Sequence, residues 1–224
     1  MEILIIGGQS AAAFLSQKFN THQLTHLPAA SQLNTSQLEG VSAVFDLEFD
    51  AHPNRLGLYA TVPNCFFILH ANAIQFAQVA ASLGVRMPLF NVAGINAWPA
   101  CIEAEPWEMS LGSEHAAEGL RALAHDLGFN YLTVADRVGM LTPRVIAMII
   151  NEAYYTLQEG TASKADIDLG MKLGTNYPYG PFEWAEKIGL PEVVRLLQAM
   201  YADTQDPRYK LCPLLKTESL AARW

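Results

Sequence analysis

Few side chains in this sequence combine a reactive type with a position where chemistry could take place. His70 follows the apolar run Phe66–Leu69, which has the composition of a buried strand. Ligands of α/β proteins bind at the carboxyl ends of such strands. An imidazole there could accept a proton near neutral pH, so His70 is a candidate catalytic base. The alternative is a structural role, because no second ligand-type residue is spaced to work with it.

The turn that follows the first apolar run is a candidate cofactor site. Dinucleotide-binding turns have the pattern G-x-G-x-x-G, whose middle glycine lets the backbone approach a pyrophosphate. The segment here is G-G-Q-S-A-A, so the predicted cofactor-binding residues are Gly7, Gly8, Gln9 and Ser10. The acid expected to bind the ribose is absent, since residues 26–30 read H-L-P-A-A. Alternatively, the two glycines only turn the chain between a strand and a helix.

Composition argues against several classes of partner. Lysine and arginine number 14 against 22 acidic residues, so the net charge is −8 and binding to nucleic acid is not expected. The start, MEILIIGG, has neither the charged region of a signal peptide nor the length of a membrane span, which predicts a cytoplasmic location. The three cysteines, Cys65, Cys101 and Cys212, are widely spaced. We therefore predict reduced thiols and no metal site.

A chain of 224 residues with 51% hydrophobic residues is long enough for two modest domains, which we place at 1–135 and 136–224. The first alternates short apolar runs with helical patterns and is predicted to be an α/β sheet. Its predicted strands are 3–6, 23–27, 41–45, 66–69, 89–92, 100–104 and 131–134. Its predicted helices are 10–19, 74–83 and 114–127.

The second domain is predicted to be helical from its start and stop signals. Thr142 and Pro143 favour a helix start, and Gly160 favours its end. Ser163 followed by Asp166 has the pattern of a capping box. Further helices are predicted near 181–188 and 191–203, each beginning at a proline.

The order of these signals resembles one enzyme family. N-E-A lies inside the first helix and E-G ends it; S-K-A-D-I-D, M-K-L-G and N-Y-P-Y-G-P-F-E-W follow. Together these motifs are similar to the C-terminal domain of 3-hydroxyacyl-CoA dehydrogenases. The resemblance to the shortened second half of bacterial phenylacetate-pathway enzymes extends further, through Arg208, Tyr209, Cys212 and Leu215. It implies a reduced Rossmann-like parallel sheet followed by an all-helical dimerisation domain, with NAD as cofactor, an acyl-CoA thioester as substrate and a homodimer.

The resemblance also assigns catalytic positions. The family oxidises a 3-hydroxyl with a histidine, which opens an H-F-F-N-P strand, and a glutamate orients this histidine. We align Pro88 with the histidine, and a proline cannot transfer a proton. Glu103 aligns with the glutamate and is the retained catalytic residue. His70 is the possible replacement for the histidine.

Two further family positions hold the substrate oxygen, an asparagine at the start of the long helix and a serine in an N-T-S-S turn. Aligning Arg144 with the family arginine places Pro143 at the asparagine. In the turn, Asn72 is retained and Gln75 stands at the serine, and a glutamine can still donate a hydrogen bond. The predicted substrate-binding residues are therefore Asn72, Gln75 and Arg144.

Two functions are compatible with this pattern. One is an NAD-dependent 3-hydroxyacyl-CoA dehydrogenase with weak or no activity. The other is a non-catalytic family member that serves as a dimerising scaffold or a binding subunit in an acyl-CoA pathway.

Overall fold

A computed structural model describes residues 1–28 and 33–222. Ala29 and Ala30, from the segment where an acid was sought, lie outside the described residues. The chain divides into two compact units, Met1–Met140 and Leu141–Trp224. The sequence placed the boundary slightly earlier, after residue 135.

Seven strands form one sheet in the first unit. They are β1 (Glu2–Ile6), β2 (Gln23–Leu27), β3 (Ala43–Asp46), β4 (Phe66–His70), β5 (Val92–Ile95), β6 (Trp107–Leu111) and β7 (Tyr131–Val134). Their order is β2-β1-β3-β4-β5-β6-β7, and every neighbouring pair is parallel except β5 and β6. The strand order reverses between β1 and β3, which is where doubly wound sheets form a ligand crevice. The predicted α/β fold class is confirmed.

The helices of this unit connect successive strands. They are α1 (Gln9–Lys18), α2 (Leu56–Tyr59), α3 (Phe76–Leu83), α4 (Pro99–Ile102) and α5 (Ala116–Leu127), with 3-10 turns at Thr35–Leu38, Phe49–Ala51 and Pro53–Arg55. The end of α5 is explained by Gly128, which follows it with a φ of 69°.

The central strands are buried on both faces, as expected for a parallel sheet covered by helices. Alternate residues of β1 belong to different clusters: Ile3 and Ile5 to one, Leu4 and Ile6 to the other. The first cluster contains an aromatic group in which Trp107 contacts Phe45 edge-on, with ring centroids 6.3 Å apart.

Two predicted strands were wrong. The run 89–92 was assigned to a strand, but β5 begins at Val92, so Pro88 lies outside it. The run 100–104 was also predicted to be a strand, but α4 ends at Ile102 and Glu103 is its exposed C-cap. The antiparallel strand β6 lies further along and was not predicted. It carries two buried polar residues, Glu108 and Ser110.

The second unit is helical, as predicted. Its helices are α6 (Thr142–Gln158), α7 (Lys164–Thr175), α8 (Pro181–Ile188), α9 (Leu190–Thr204) and α10 (Pro213–Ala221), with a 3-10 turn at Pro207–Tyr209. Ser163 caps α7 by accepting from the backbone N–H of Asp166 at 3.2 Å. Pro143, Pro181 and Pro213 each lie in the first turn of a helix, where a missing N–H costs nothing.

The corner between α7 and α8 explains several residues of the family motif. Asp168 accepts the N–H of Phe182 at 2.8 Å, and the Glu183 carboxylate accepts the N–H of Gly180 at 2.9 Å and also pairs with Lys172. A methyl group at Gly180 would overlap the Asp168 side chain. These residues therefore hold the corner together, and the Lys172 amine and the backbone N–H of Gly180 keep the pKa of Glu183 low.

The segment after α9 is bound to α6 through the asparagine of N-E-A. Asn151 donates to the carbonyl of Lys210 at 3.0 Å and accepts from the N–H of Cys212 at 2.9 Å. Gln158 accepts the N–H of Leu214, also at 3.0 Å. The C-terminal segment is thus a packed arm.

We predict that Gly180→Ala lowers the free energy of unfolding by about 1–3 kcal/mol, because the added methyl overlaps the Asp168 side chain. Gly170→Ala is the matched control, since Gly170 lies inside α7 with open space around it. It should raise stability by about 0.5–1 kcal/mol. Urea unfolding followed by circular dichroism measures both. Equal midpoints for Gly180→Ala and the unmodified chain would show that the close approach is not a constraint.

Candidate functional site

Buried polar side chains gather where β3, β4 and β5 end. Asp46 ends β3 and is fully buried; Asp50 follows it, 8% exposed. His70 ends β4, Asn72 follows it, and Asn96 follows β5. Because β6 is antiparallel to β5, Glu108 near its start lies beside this edge, and its carbonyl accepts the N–H of Asn96 at 3.2 Å. These residues make the carboxyl edge of the sheet the candidate site.

Asp46 is neutralised by a buried cation. Nη1 of Arg55 donates to its two oxygens at 3.0 and 2.9 Å, and the Tyr59 hydroxyl donates to Oδ2 at 2.7 Å. Burial, followed by the Asp46 charge, raises the pKa of Tyr59 far above its usual value, so this donor stays protonated. Because both oxygens of Asp46 accept hydrogen bonds from Arg55 or Tyr59, Asp46 holds the segment 53–59 against β3.

His70 has contacts at both ring nitrogens. Nδ1 accepts the backbone N–H of Ala97 at 3.1 Å, and Nε2 lies 3.5 Å from Oδ2 of Asp50. A nitrogen that accepts an N–H carries no proton, so the neutral ring carries its proton on Nε2. Asp50 in turn accepts the N–H groups of Asn72 and Ala73, each at 3.0 Å. In this arrangement the one lone pair of His70 is already occupied.

Asn72 and Asn96 link the ends of β4 and β5. Nδ2 of Asn72 donates to Oδ1 of Asn96 at 3.0 Å, and the backbone N–H of Trp98 donates to the same oxygen at 3.3 Å. Both amides are at least 97% buried. The sequence indicated Asn72 but missed Asn96, which follows an apolar run as His70 does.

The predicted cofactor turn lies at the end of β1, beside the crevice between β1 and β3. Gly7 is required by packing, because an added Cβ would lie 2.9 Å from Cβ of Leu47. Its carbonyl contacts Nε2 of His26 at 2.9 Å. Gly8 caps α1, and Gln9 and Ser10 are exposed in the first turn.

The other predicted substrate residues are engaged elsewhere. Gln75 donates to the carbonyl of Asp136 at 2.9 Å, and the Asp136 carboxylate caps α3 through the N–H of Phe76 at 3.0 Å. Burial raises the pKa of Asp136, although hydrogen bonds from the backbone N–H groups of Phe76 and Ala77 oppose the shift. In the second unit, Arg144 donates to the Tyr209 hydroxyl. Of the predicted site residues in the first unit, the structure thus brings His70 and Asn72 together at the candidate site.

Glu103, the predicted catalytic glutamate, and Glu108 differ in secondary structure and in exposure to solvent. Glu103, assigned to a strand, is an exposed helix cap, whereas Glu108 on β6 is 7% exposed. In W-E-M-S-L, apolar and polar residues alternate, a pattern that predicts a strand with its polar side chains in solvent. Glu108 was missed because these polar residues are in fact buried. Burial raises the pKa of the neighbouring Cys101 thiol to about 11, so it is not an activated nucleophile.

Two features are absent from residues 1–28 and 33–222. In that part of the chain, no three His, Cys, Asp or Glu side chains are grouped to hold a metal ion. Within the same ranges no helix has the length and apolar character needed to span a bilayer.

We predict that nuclear magnetic resonance of ¹⁵N-labelled protein will show one tautomer for the neutral His70 ring, with the proton on Nε2. The Ala97 N–H holds the lone pair of Nδ1, which leaves only Nε2 to carry the proton. His52 is exposed and should interconvert between tautomers. Averaged signals for both histidines would contradict the His70 arrangement.

Comparisons with known proteins agree with this architecture. Residues 139–223 match the family model described as 3-hydroxyacyl-CoA dehydrogenase, C-terminal domain. The 3-hydroxyadipyl-CoA dehydrogenase of Escherichia coli is 46% identical over 93 residues, which are 42% of this chain and 20% of that protein. A probable 3-hydroxybutyryl-CoA dehydrogenase of Bacillus subtilis is 30% identical over 154 residues, 69% of this chain and 54% of that protein.

Solved structures share the fold over almost the whole chain. The (S)-3-hydroxybutyryl-CoA dehydrogenase PaaH1 of Ralstonia eutropha has a TM-score of 0.75 at 21% identity, covering 99% of this chain and 94% of that one. FadB2 of M. tuberculosis has a TM-score of 0.79 at 16% identity, with 98% and 93% covered. The chain spans only 20% to 54% of the two sequence relatives above. Its C-terminal domain belongs to the 3-hydroxyacyl-CoA dehydrogenase family, as the sequence resemblance predicted.

Proposed function

We propose that this chain is a 3-hydroxyacyl-CoA dehydrogenase-family protein that binds an acyl-CoA thioester and has little or no dehydrogenase turnover of its own. The observation that carries the proposal is His70: its lone pair accepts the N–H of Ala97, so it cannot also take a proton from a ligand hydroxyl. Asn96, which follows β5, has a neutral amide side chain that cannot act as a general base. The polar side chains at this edge hold the fold and suit binding better than proton transfer.

The residues of the β1 turn fit NAD poorly. A pyrophosphate would approach Gly7 and Gly8, yet the side chain of Glu48 lies beside Gly7, with its Cγ 3.5 Å from where a Cβ would be. A nearby carboxylate repels a phosphate. Gln9 adds a side chain where the pattern requires a glycine. The described end of β2 has His26 and Leu27 in place of an acid.

A CoA ester is supported by the names of the relatives, two of which are CoA-ester dehydrogenases. By the family layout, the cations nearest to the phosphates of such a ligand are Arg86, Arg137, Arg144 and Lys172. Lys172 pairs with Glu183 and Arg144 with Tyr209, whereas Arg86 is exposed. Arg86 is therefore an exposed cation on which the phosphate contacts of the proposed ligand rest.

A second candidate, dehydrogenase activity with His70 as the base, is favoured by one contact. Asp50 lies 3.5 Å from Nε2 and would stabilise a protonated imidazole. His70 would have to release the Ala97 N–H before Nδ1 could accept a proton. Glu108 is then a buried carboxylate at this edge, whereas Glu103 is exposed.

Calorimetry with acetoacetyl-CoA and NADH, together with NADH formation from 3-hydroxybutyryl-CoA and NAD, separates these functions. We expect saturable binding of the CoA ester, weak or no binding of NADH, and no turnover. Turnover that is lost in His70→Ala and kept in the exposed control His52→Ala would establish the second candidate. If neither ligand binds, the chain is a scaffold.

We also propose a homodimer formed through the C-terminal helices. Seven large apolar side chains are exposed in the described part of the second unit: Leu141, Val145, Leu169, Leu173, Tyr177, Tyr201 and Leu220. Two apolar cavities of about 280 and 390 Å³ share Ile149 of α6 as a lining residue. Exposed apolar surface of this kind supports association with another protein.

We predict that Val145→Glu weakens the dimer roughly tenfold or more, because it would bury an unpaired carboxylate in the interface. Leu83→Glu is the matched control, since Leu83 is 41% exposed on α3, close to the 47% of Val145. Sedimentation velocity over a concentration series measures both. A dimer constant unchanged by Val145→Glu would place the interface elsewhere.

A further inference from the structure

The turn between β5 and α4 is fastened to β4 by the ring of His70. Nδ1 of this ring accepts the backbone N–H of Ala97 at 3.1 Å. The neighbouring N–H groups have partners elsewhere, because that of Asn96 donates to the carbonyl of Glu108 at 3.2 Å and that of Trp98 donates to the side chain of Asn96 at 3.3 Å. Ala97 therefore joins the backbone of this turn to β4.

A neighbouring carboxylate favours a proton on the His70 ring, while burial opposes it. Oδ2 of Asp50, which follows β3, lies 3.5 Å from Nε2. Asp46 at the end of β3 is neutralised by its own buried cation, and Glu108 lies on β6, beyond β5. On α4, burial raises the pKa of the Cys101 thiol to about 11, so this group is neutral. Because the His70 side chain is 8% exposed, a charged ring depends on Asp50 for compensation.

A proton on Nδ1 and the hydrogen bond from Ala97 exclude each other. Nδ1 of the neutral ring offers a lone pair, whereas both nitrogens of the protonated ring carry a proton and donate. The N–H of Nδ1 would then face the N–H of Ala97. Rotating the ring by half a turn would place a carbon toward Ala97 and would also move Nε2 away from Asp50. The ring therefore keeps its orientation, and the turn has to move.

We propose that His70 is a pH-sensitive latch, which holds the turn 96–98 when its ring is neutral and releases the turn when the ring is protonated. Ala97 is half-buried, so its released N–H can reach water. Asn96 lies in the same turn and accepts the amide of Asn72 at 3.0 Å, so release also loosens the polar contacts of the candidate site. Since the proton and the turn compete for one lone pair, acid shifts the population toward the released turn. The latch requires no bound ligand and is independent of the proposed function.

Nuclear magnetic resonance from about pH 8 to about pH 5, where histidines usually titrate, tests the latch on the unmodified chain. We expect the His70 ring to change from one protonated nitrogen to two. The amide proton of Ala97 should move upfield with the same midpoint, because it loses its acceptor. An Ala97 signal that stays unchanged while the ring becomes doubly protonated would overturn the proposal, and so would a ring that stays neutral until the protein unfolds.

His70→Gln separates the acceptor from the proton, because a glutamine oxygen can accept the N–H of Ala97 but does not titrate. We expect the pH response of Ala97 to be lost in His70→Gln. It should be kept in His125→Gln, the matched control, because the His125 side chain is 88% exposed. Asp50→Asn should move the midpoint of the response to lower pH, since it removes the charge that compensates the protonated ring. A response that persists in His70→Gln would assign it to another group and reject the latch.

Discussion

The carboxyl edge of the sheet has to satisfy every backbone group that leaves a buried strand. Water cannot reach these groups, and an unpaired N–H or carbonyl in the interior costs about 1–3 kcal/mol. This chain meets the constraint with side chains: Asp50 accepts two N–H groups after β4, and Asn96 and His70 accept those that follow β5. The same polar residues that suggest chemistry in the sequence are therefore occupied in holding the strand ends.

That occupation favours binding over catalysis. A general base needs a free lone pair within reach of the proton it removes. The lone pair of His70 accepts the backbone N–H of Ala97, and the charge of Asp46 is neutralised by Arg55. Among the buried side-chain polar atoms of the described residues, one amide oxygen and one indole N–H have no hydrogen-bond partner, and neither group can act as a general base.

The family resemblance in the second unit has a structural origin. Asn151 anchors the C-terminal arm, while Asp168, Gly180 and Glu183 form the corner between α7 and α8. None of these roles requires a substrate. A sequence can keep these motifs for the sake of its helical domain, so the family match of the second unit does not depend on the residues of the candidate site.

The sequence by itself determined the local features whose causes lie within a few residues. Helix starts at proline, the Ser163 cap and the glycine that follows α6 depend on nearby backbone groups, and these predictions were confirmed. Short apolar runs were harder, since P-A-C-I and V-A-G-I are alike in composition, yet the first is a helix and the second a strand.

Only the tertiary structure decided which polar residues meet. Asn72 and Asn96 are 24 residues apart, and Gln75 and Asp136 are 61 apart. Glu108 reached the edge because β6 runs antiparallel to β5. Strand order and direction are set by packing of the whole sheet, which no local pattern contains, so the sequence identified Asn72 and His70 as candidates but not the contacts that occupy them.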